Sequence, residues 1–145
     1  MHKALGQWRR VTKPGGRVLF TSFAETAFQP MMNLFLEQLQ AYGVDAGQTM
    51  LSSQRLADPA VCRQLLQDAG FNEVVLENRQ CGYHLQCADD CWSLLWNSGS
   101  RGMLQKLDPQ RLPAFKAELL ERVNGLFGEK GMWLDVPVNF VSGVA

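Results

Sequence analysis

A Pro-Gly-Gly turn near the start of the chain separates a short amphipathic segment from a run of apolar residues. Pro14 disfavours a helical conformation at the residue before it, and Gly15-Gly16 gives the backbone freedom to turn. Before the turn, the spacing of Leu5, Trp8 and Val11 predicts a short helix with one apolar face. This helix must end at the turn. Val18-Leu19-Phe20 are apolar in succession, which is typical of a strand covered on both faces. A helix, a tight turn and such a strand together predict an α/β fold.

The rest of the chain shows alternating helical and extended patterns. Apolar spacing and turn residues predict a helix from Phe28 to Gly43, a polar connection over 44–56, a helix from Asp58-Pro59 to Gly70, a strand from Asn72 to Arg79 running toward Tyr83, a short helix from Asp89, a long helix from Asp108-Pro109 to Gly128, and a terminal strand over 132–141. Pro137 counts against full pairing of that last strand, because proline has no N–H to donate.

Composition limits the classes of protein to consider. The chain has 145 residues, of which 46% are hydrophobic, enough for one compact domain over 1–145. Lys plus Arg and Asp plus Glu both number 14, so we expect no nucleic-acid partner. No segment approaches the ~20 apolar residues that span a bilayer, and no secretion signal is present. Four cysteines without such a signal indicate reduced thiols, so we expect a cytoplasmic protein with no membrane association.

Three segments carry a family resemblance. They are ALGQWRRVTKPGGRVL over 4–19, LLQDAGF over 65–71 and WLDVPV over 133–138. In this order they resemble the C-terminal half of a class I S-adenosylmethionine-dependent methyltransferase of the ubiquinone/menaquinone-biosynthesis type. The resemblance implies an incomplete Rossmann-like methyltransferase fold of about three strands. In that fold the terminal strand is central and antiparallel, and helices cover both faces of the sheet.

The resemblance also implies S-adenosylmethionine as the cofactor. In the family a glycine-rich loop after the first strand holds that cofactor, and this chain contains no G-x-G-x-G run. We therefore assign no cofactor-binding and no catalytic residue, and we expect a truncated or fragment form that is inactive alone.

A second hypothesis is a non-catalytic assembly module. In the complete family fold the strand over 17–23 has a parallel neighbour, so its edge here would carry unpaired backbone groups. We expect a second copy, forming a homodimer, or another chain to cover this edge.

A third hypothesis is a small zinc-binding protein. Cys81, His84, Cys87 and Cys91 are residue types that bind zinc, and they fall close together. Structural zinc sites usually join two separated ligand pairs, and residues 84 and 87 would alternate faces of an extended segment. Buried thiols explain these residues better, so we predict no metal site.

Several aromatic residues are candidates for an apolar substrate pocket. Open α/β sheets bind ligands beyond the strand ends, and Phe23 directly follows the first predicted strand core. The full set is Phe23, Phe28, Phe35, Trp92, Trp96 and Trp133. Aromatic residues at helical spacing also form ordinary core, so both interpretations remain open for these positions.

Overall fold

The predicted helices and strands occur in the predicted order, with one additional short helix, one additional short strand, a divided terminal strand and several changes of boundary. The computed structural model describes residues 1–47 and 54–145. Within them the helices are α1 (His2–Val11), α2 (Met31–Ala41), α3 (Pro59–Asp68), α4 (Ala88–Trp96), α5 (Arg101–Leu104) and α6 (Leu112–Asn124). The strands are β1 (Arg17–Phe23), β2 (Asn72–Gln80), β3 (Tyr83–Leu85), β4 (Met132–Leu134) and β5 (Pro137–Val144). The centre of the predicted polar connection over 44–56 lies outside the described residues.

The chain packs as two compact units. Unit 1 consists of Met1–Ala27, Ser53–Cys81 and Val136–Ala145, and unit 2 consists of Phe28–Ser52 and Gly82–Asp135. Unit 1 contains β1, β2 and β5 with α1 and α3, and unit 2 contains the remaining elements. The single domain over 1–145 stays a prediction.

The sheet of unit 1 has the strand order β1-β5-β2. β5 pairs antiparallel with β1 on one side and with β2 on the other, so that Val141 is opposite both Phe20 and Leu76. This confirms the expected central, antiparallel terminal strand. Since β1 and β2 both run opposite to β5, their carboxyl ends lie at the same end of the sheet.

The terminal strand is not continuous, which corrects the prediction over 132–141. β4 ends at Leu134 and pairs with β3 in a separate two-stranded sheet of unit 2, whereas β5 starts at Pro137 in unit 1. Proline has no N–H for a ladder hydrogen bond and is tolerated at the first residue of a strand. β2 likewise ends at Gln80 instead of running on to Tyr83. The described residues therefore hold five strands in two sheets, not about three in one.

The Pro-Gly-Gly turn forms as predicted and closes against the end of β5. Gly15 has a positive φ of 76°, and its N–H donates to the Ala145 carbonyl over 3.0 Å. Ala145 in turn donates its N–H to the Gly16 carbonyl over 2.8 Å. A Cβ atom on Gly16 would lie 2.8 Å from the Lys13 carbonyl oxygen, so no side chain fits there.

The helix starts were only partly predicted. Asp58 caps α3 as expected, with its carboxylate accepting from the Ala60 N–H over 2.8 Å and Pro59 at the first helical position. Asp108 instead forms a turn whose carboxylate accepts from the Gln110 N–H, and α6 begins only at Leu112. An Asp-Pro pair fits both structures, so the sequence alone could not separate them.

The core of unit 1 covers one face of its sheet, which corrects the expectation of helices on both faces. Side chains of α1 and α3 pack against one face of β1 and β5, and the buried set is Leu5, Phe20, Cys62, Leu65, Leu66, Phe71 and Val141. On the opposite face Leu19 is 59% exposed, Phe23 53% and Val75 47%. The apolar run of β1 therefore does not reflect burial on both sides within this chain.

Unit 2 is centred on α2 and α6. Phe35 meets Phe115 edge to face at 6.2 Å between ring centroids, and both are fully buried. Beside them the Gln38 side chain donates to Glu118 over 2.9 Å and accepts from Arg122 over 3.2 Å. These contacts fix the two helices side by side. No helix in the described ranges is long and apolar enough to cross a membrane.

Adjacent residues of β1 should respond differently to truncation. We expect Phe20→Ala to lower the free energy of unfolding by about 3–5 kcal/mol, because it leaves a cavity in the core. The matched control Leu19→Ala, which points to the open face, should cost less than about 1 kcal/mol when both variants are measured at a protein concentration low enough to keep the chain monomeric. Denaturant unfolding followed by circular dichroism measures both values. Equal losses would contradict a sheet that is covered on one face.

Candidate functional site

In an α/β domain a ligand site lies beyond the carboxyl ends of the strands that run in the same direction, which here is the end of the unit 1 sheet where β1 and β2 finish. Phe23, the strongest candidate from the sequence, is the last residue of β1 and lies on its exposed face. The structure therefore places an accessible aromatic ring at the expected end of the sheet. Its role in substrate binding stays a prediction.

A row of polar side chains crosses the same end of the sheet on the covered face. Ser22 is opposite Asn139, and Asn139 is opposite Asn78, so one residue from each strand contributes. Asn139 is fully buried, and its Oδ1 accepts a hydrogen bond from Asn78 Nδ2 over 2.9 Å. Sequence analysis missed this row. In the period-2 pattern over 132–141, Asn139 is out of phase with the apolar residues Met132, Leu134, Val136 and Val138, so the pattern gave no signal for it.

Two of the other candidates lie at the start of unit 2. Phe35 is a core residue of α2, in contact with Phe115, which agrees with the alternative of ordinary packing. Phe28 precedes α2 and has a φ of 69°, a conformation that is uncommon for a bulky residue. Its backbone N–H donates to the Asp135 carbonyl over 2.7 Å. The strained turn thus ties the start of α2 to the residue that follows β4.

Trp92 and Trp96 are the pocket candidates that the structure clearly brings together. Their rings lie one turn apart on α4 and stack at 5.8 Å between centroids with an interplanar angle of 23°. The Lys116 ammonium lies 5.4 Å from the Trp92 ring and the Arg101 guanidinium 5.5 Å from the Trp96 ring. Both cations are in range for a favourable cation–π interaction. The stacked pair is half-buried, and these contacts already occupy part of its surface.

Trp133 lies on the small sheet of unit 2. Its ring meets His84 of β3 at 5.1 Å between centroids, and its Nε1 donates to the Asp135 carboxylate over 3.3 Å. The residue is 43% exposed, so its ring is an accessible aromatic position in unit 2.

The cysteine and histidine cluster does not form a ligand group in the part of the chain that the structure describes. No set of three or more His, Cys, Asp or Glu side chains there is arranged to hold a metal ion. Cys87 lies at the N-terminus of α4, Cys91 is buried on that helix, and Cys81 is exposed in unit 1. The zinc hypothesis therefore gains no support from the arrangement of these residues.

The glycine turn of β1 does not provide a cradle for the cofactor. A phosphate or nucleotide site of this kind needs free backbone N–H groups that point at the ligand. In this chain the Gly15 N–H is engaged with Ala145, and the Gly16 N–H donates to the Lys13 carbonyl over 2.8 Å. The Arg17 guanidinium, which flanks the turn, donates to the Ser142 hydroxyl over 3.2 Å. The described residues of this turn thus do not fit a nucleotide cofactor.

A cavity of about 530 Å³ lies at the end of α2 in unit 2. Its described lining is Leu36, Gln40, Gly43, Val44, Asp45, Ala46 and Gly47. None of the predicted pocket aromatics belongs to this lining. The described part of this lining brings no group of catalytic residue types together.

Burial controls the chemistry of two of the four thiols. The pKa of Cys91 is raised to about 11 by burial, with smaller contributions from Asp90 and Cys87. Burial likewise raises the pKa of Cys62, although the hydrogen bond with Ser22 acts in the opposite direction. The thiolate is the reactive form, so both thiols are poor nucleophiles in the folded protein.

We expect the thiols to react with a maleimide in two classes. Cys81 and Cys87 are exposed and should be labelled first, and Cys62 and Cys91 should react slower by a factor on the order of a hundred because they are buried. Mass spectrometry of proteolytic peptides at pH 8 separates the four rates. The same labelling in denaturant is the control, where all four should react alike. A single rate in the folded protein would contradict the burial described above.

Comparisons with known proteins give limited similarity. No protein-family model and no curated protein matches the chain. Two solved structures of phosphoethanolamine N-methyltransferase 2 from Haemonchus contortus are similar to it, each at 14% sequence identity with a TM-score of 0.40. One was solved with phosphomonomethylethanolamine and S-adenosylhomocysteine, and the other with S-adenosyl-L-methionine. The similarity covers 99% of this chain and 30% and 29% of those chains, so the chain spans less than a third of their length.

Proposed function

We propose that this chain is the acceptor-side part of an S-adenosylmethionine-dependent methyltransferase of the ubiquinone/menaquinone-biosynthesis type. In this proposal it contributes the end of the sheet near Phe23 and does not hold the cofactor by itself. The proposal includes the cytoplasmic location that the sequence predicts.

The strand order of unit 1 is the observation that carries this proposal. The Pro-Gly-Gly segment and the LLQDAGF helix end led to the expectation of a terminal strand inserted antiparallel between two earlier strands. β5 occupies that position between β1 and β2. A short antiparallel sheet with sequential strands would instead place neighbours in chain order, as in a meander. Motif order and strand order are separate observations, and they support the same family.

The described residues of the glycine turn offer no group that is suited to bind S-adenosylmethionine. The sequence contains no G-x-G-x-G run, and the N–H groups of its Gly15-Gly16 turn are engaged within the protein. Methyl transfer depends mainly on holding the acceptor in line with the methyl donor. A chain that cannot hold the donor cannot supply that alignment. We therefore propose that it is inactive alone and requires a separate segment that binds the cofactor.

We expect no binding of S-adenosylmethionine to this chain. Isothermal titration of the purified protein with S-adenosylmethionine, and separately with S-adenosylhomocysteine, should give no saturable heat at concentrations up to about 1 mM, a free energy of binding weaker than about 4 kcal/mol. Micromolar affinity for either compound would contradict the incomplete site.

A second experiment tests the family assignment itself. The genomic DNA immediately upstream of the codon for Met1 can be read in frame. A strand followed by a glycine-rich loop and a helix in that reading would support the methyltransferase proposal. An upstream reading frame that encodes a different fold class would contradict it.

The second candidate function is an assembly module, and a difference between the two edges of the sheet favours it. β2 is an end strand and carries Glu73, Glu77 and Arg79, charged residues of the kind that protect a sheet edge from pairing. β1 is the other end strand, and from Val18 to Phe23 it has no charged residue and no proline. We propose that a second copy of the chain pairs along β1 and covers Leu19 and Phe23.

The exposed Leu19 and Phe23 side chains can contribute to such a contact. Full burial of a Leu or Phe side chain contributes about 1.5–3 kcal/mol. A two-fold contact that covers Leu19 and Phe23 uses each residue twice, once from each copy. Pairing along β1 would bury part of the exposed apolar surface of Leu19 and Phe23 against the same residues of the second copy.

We expect the protein to be a dimer at tens of micromolar, and Leu19→Lys to make it monomeric. The introduced charge would have to be buried without a partner, which is unfavourable. Val11→Lys is the matched control, because Val11 is also exposed and apolar but lies on α1. Analytical ultracentrifugation measures the masses. A monomeric wild-type protein, or a dimer that survives Leu19→Lys, would exclude pairing along β1.

A further inference from the structure

The segment that leads into α3 is attached to the sheet by two backbone carbonyl groups. The Leu56 carbonyl accepts from the Ser22 hydroxyl over 2.7 Å and from the Cys62 thiol over 3.2 Å. The Ala57 carbonyl accepts from Asn139 Nδ2 over 3.0 Å. Three side chains from β1, β5 and α3 thus hold two consecutive peptide groups.

The Asn139 amide is oriented by two hydrogen-bond partners together. An asparagine amide offers an acceptor oxygen on one side and donor N–H groups on the other. The Ala57 carbonyl can only accept, so the nitrogen of Asn139 faces it, and Asn78 Nδ2 donates to Asn139 Oδ1 on the other side. Asn78 therefore acts as a positioning residue, and it does so without touching either carbonyl.

The residues at the centre of these hydrogen bonds are buried together. Asn139 and Cys62 are fully buried, and Ala57 is almost so. Buried polar groups strengthen each other when all are paired and are costly when one loses its partner. The hydrogen bonds should therefore form and break together. Within the segment, the Ala57 N–H donates to the Gln54 carbonyl over 2.9 Å.

This group of side chains lies at the end of the sheet where a ligand could bind. Ser22 and Asn78 lie near the carboxyl ends of β1 and β2, the end of the sheet where α/β domains bind ligands. Release of residues 56 and 57 would uncover the amide of Asn139 and the thiol of Cys62 at that end. The sheet itself is held by the backbone ladders of β5 with β1 and β2, which do not include these side-chain hydrogen bonds.

We propose that Ser22, Asn139 and Cys62 form a clasp on residues 56 and 57 that opens as a unit while the sheet of unit 1 stays folded. Opening is a local conformational change of the kind that proteins undergo below the free energy of global unfolding. This inference uses only the contacts of unit 1 and does not depend on the proposed methyltransferase or assembly function.

The Cys62 thiol provides a direct probe of the clasp in the full chain. When reclosing is fast, the rate of labelling by N-ethylmaleimide is proportional to the population of the open state. Ser22→Ala removes one hydrogen bond of the clasp, and Asn78→Ala removes one of the two partners that orient Asn139. We expect each variant to raise the rate of Cys62 labelling by a factor on the order of ten. Thr21→Ala is the control, because Thr21 is adjacent but lies on the open face of β1.

Hydrogen exchange of the β1 and β5 backbone amides separates local opening from unfolding of the whole unit. The clasp predicts faster Cys62 labelling with unchanged exchange at Phe20 and Val141. Two results would overturn the proposal. One is a Cys62 rate that neither variant changes. The other is a rate that rises in step with exchange of the sheet amides, because Cys62 would then be exposed only by unfolding of unit 1.

Discussion

The pairing of β5 with two strands at once is the constraint on which unit 1 depends. β1 and β2 do not pair with each other, so each is in the sheet only through its ladder with β5. β5 also carries Val141 in the core and Asn139 in the polar row. The turn at Gly15 closes on Ala145 just beyond β5. The sheet, the core and the clasp therefore all require the terminal strand to be in place.

Local signals in the sequence predicted local structure well. Pro14 and Gly15 stop α1 and start a strand because their backbone preferences act within a few residues. Asp58 and Pro59 mark the start of α3 for the same reason. The position of β5 followed from the family resemblance, because hydrophobic periodicity carries no information about which strands are neighbours. That information depends on contacts between distant parts of the chain.

The errors have a common physical origin in those distant contacts. An uninterrupted alternation over 132–141 predicts one strand, but Pro137 allows the chain to leave one sheet and begin another. Among the candidate residues, Trp92 and Trp96 meet because their spacing alone makes them neighbours on a helix. The row of Ser22, Asn139 and Asn78 was not predictable, because it exists only once the registers of three strands are known.

The apolar run of β1 and its exposure have to be explained together. Val18-Leu19-Phe20 has the sequence pattern of a strand with apolar contacts on both faces, yet Leu19 lies open in this chain. An isolated exposed leucine needs no explanation. Leu19 and Phe23, however, lie on one face of an end strand, and Val75 lies on the same face of β2. Together they form the apolar surface that we propose another polypeptide contacts. Both proposed functions place another polypeptide along the edge of β1, where its side chains would pack beside Leu19 and Phe23.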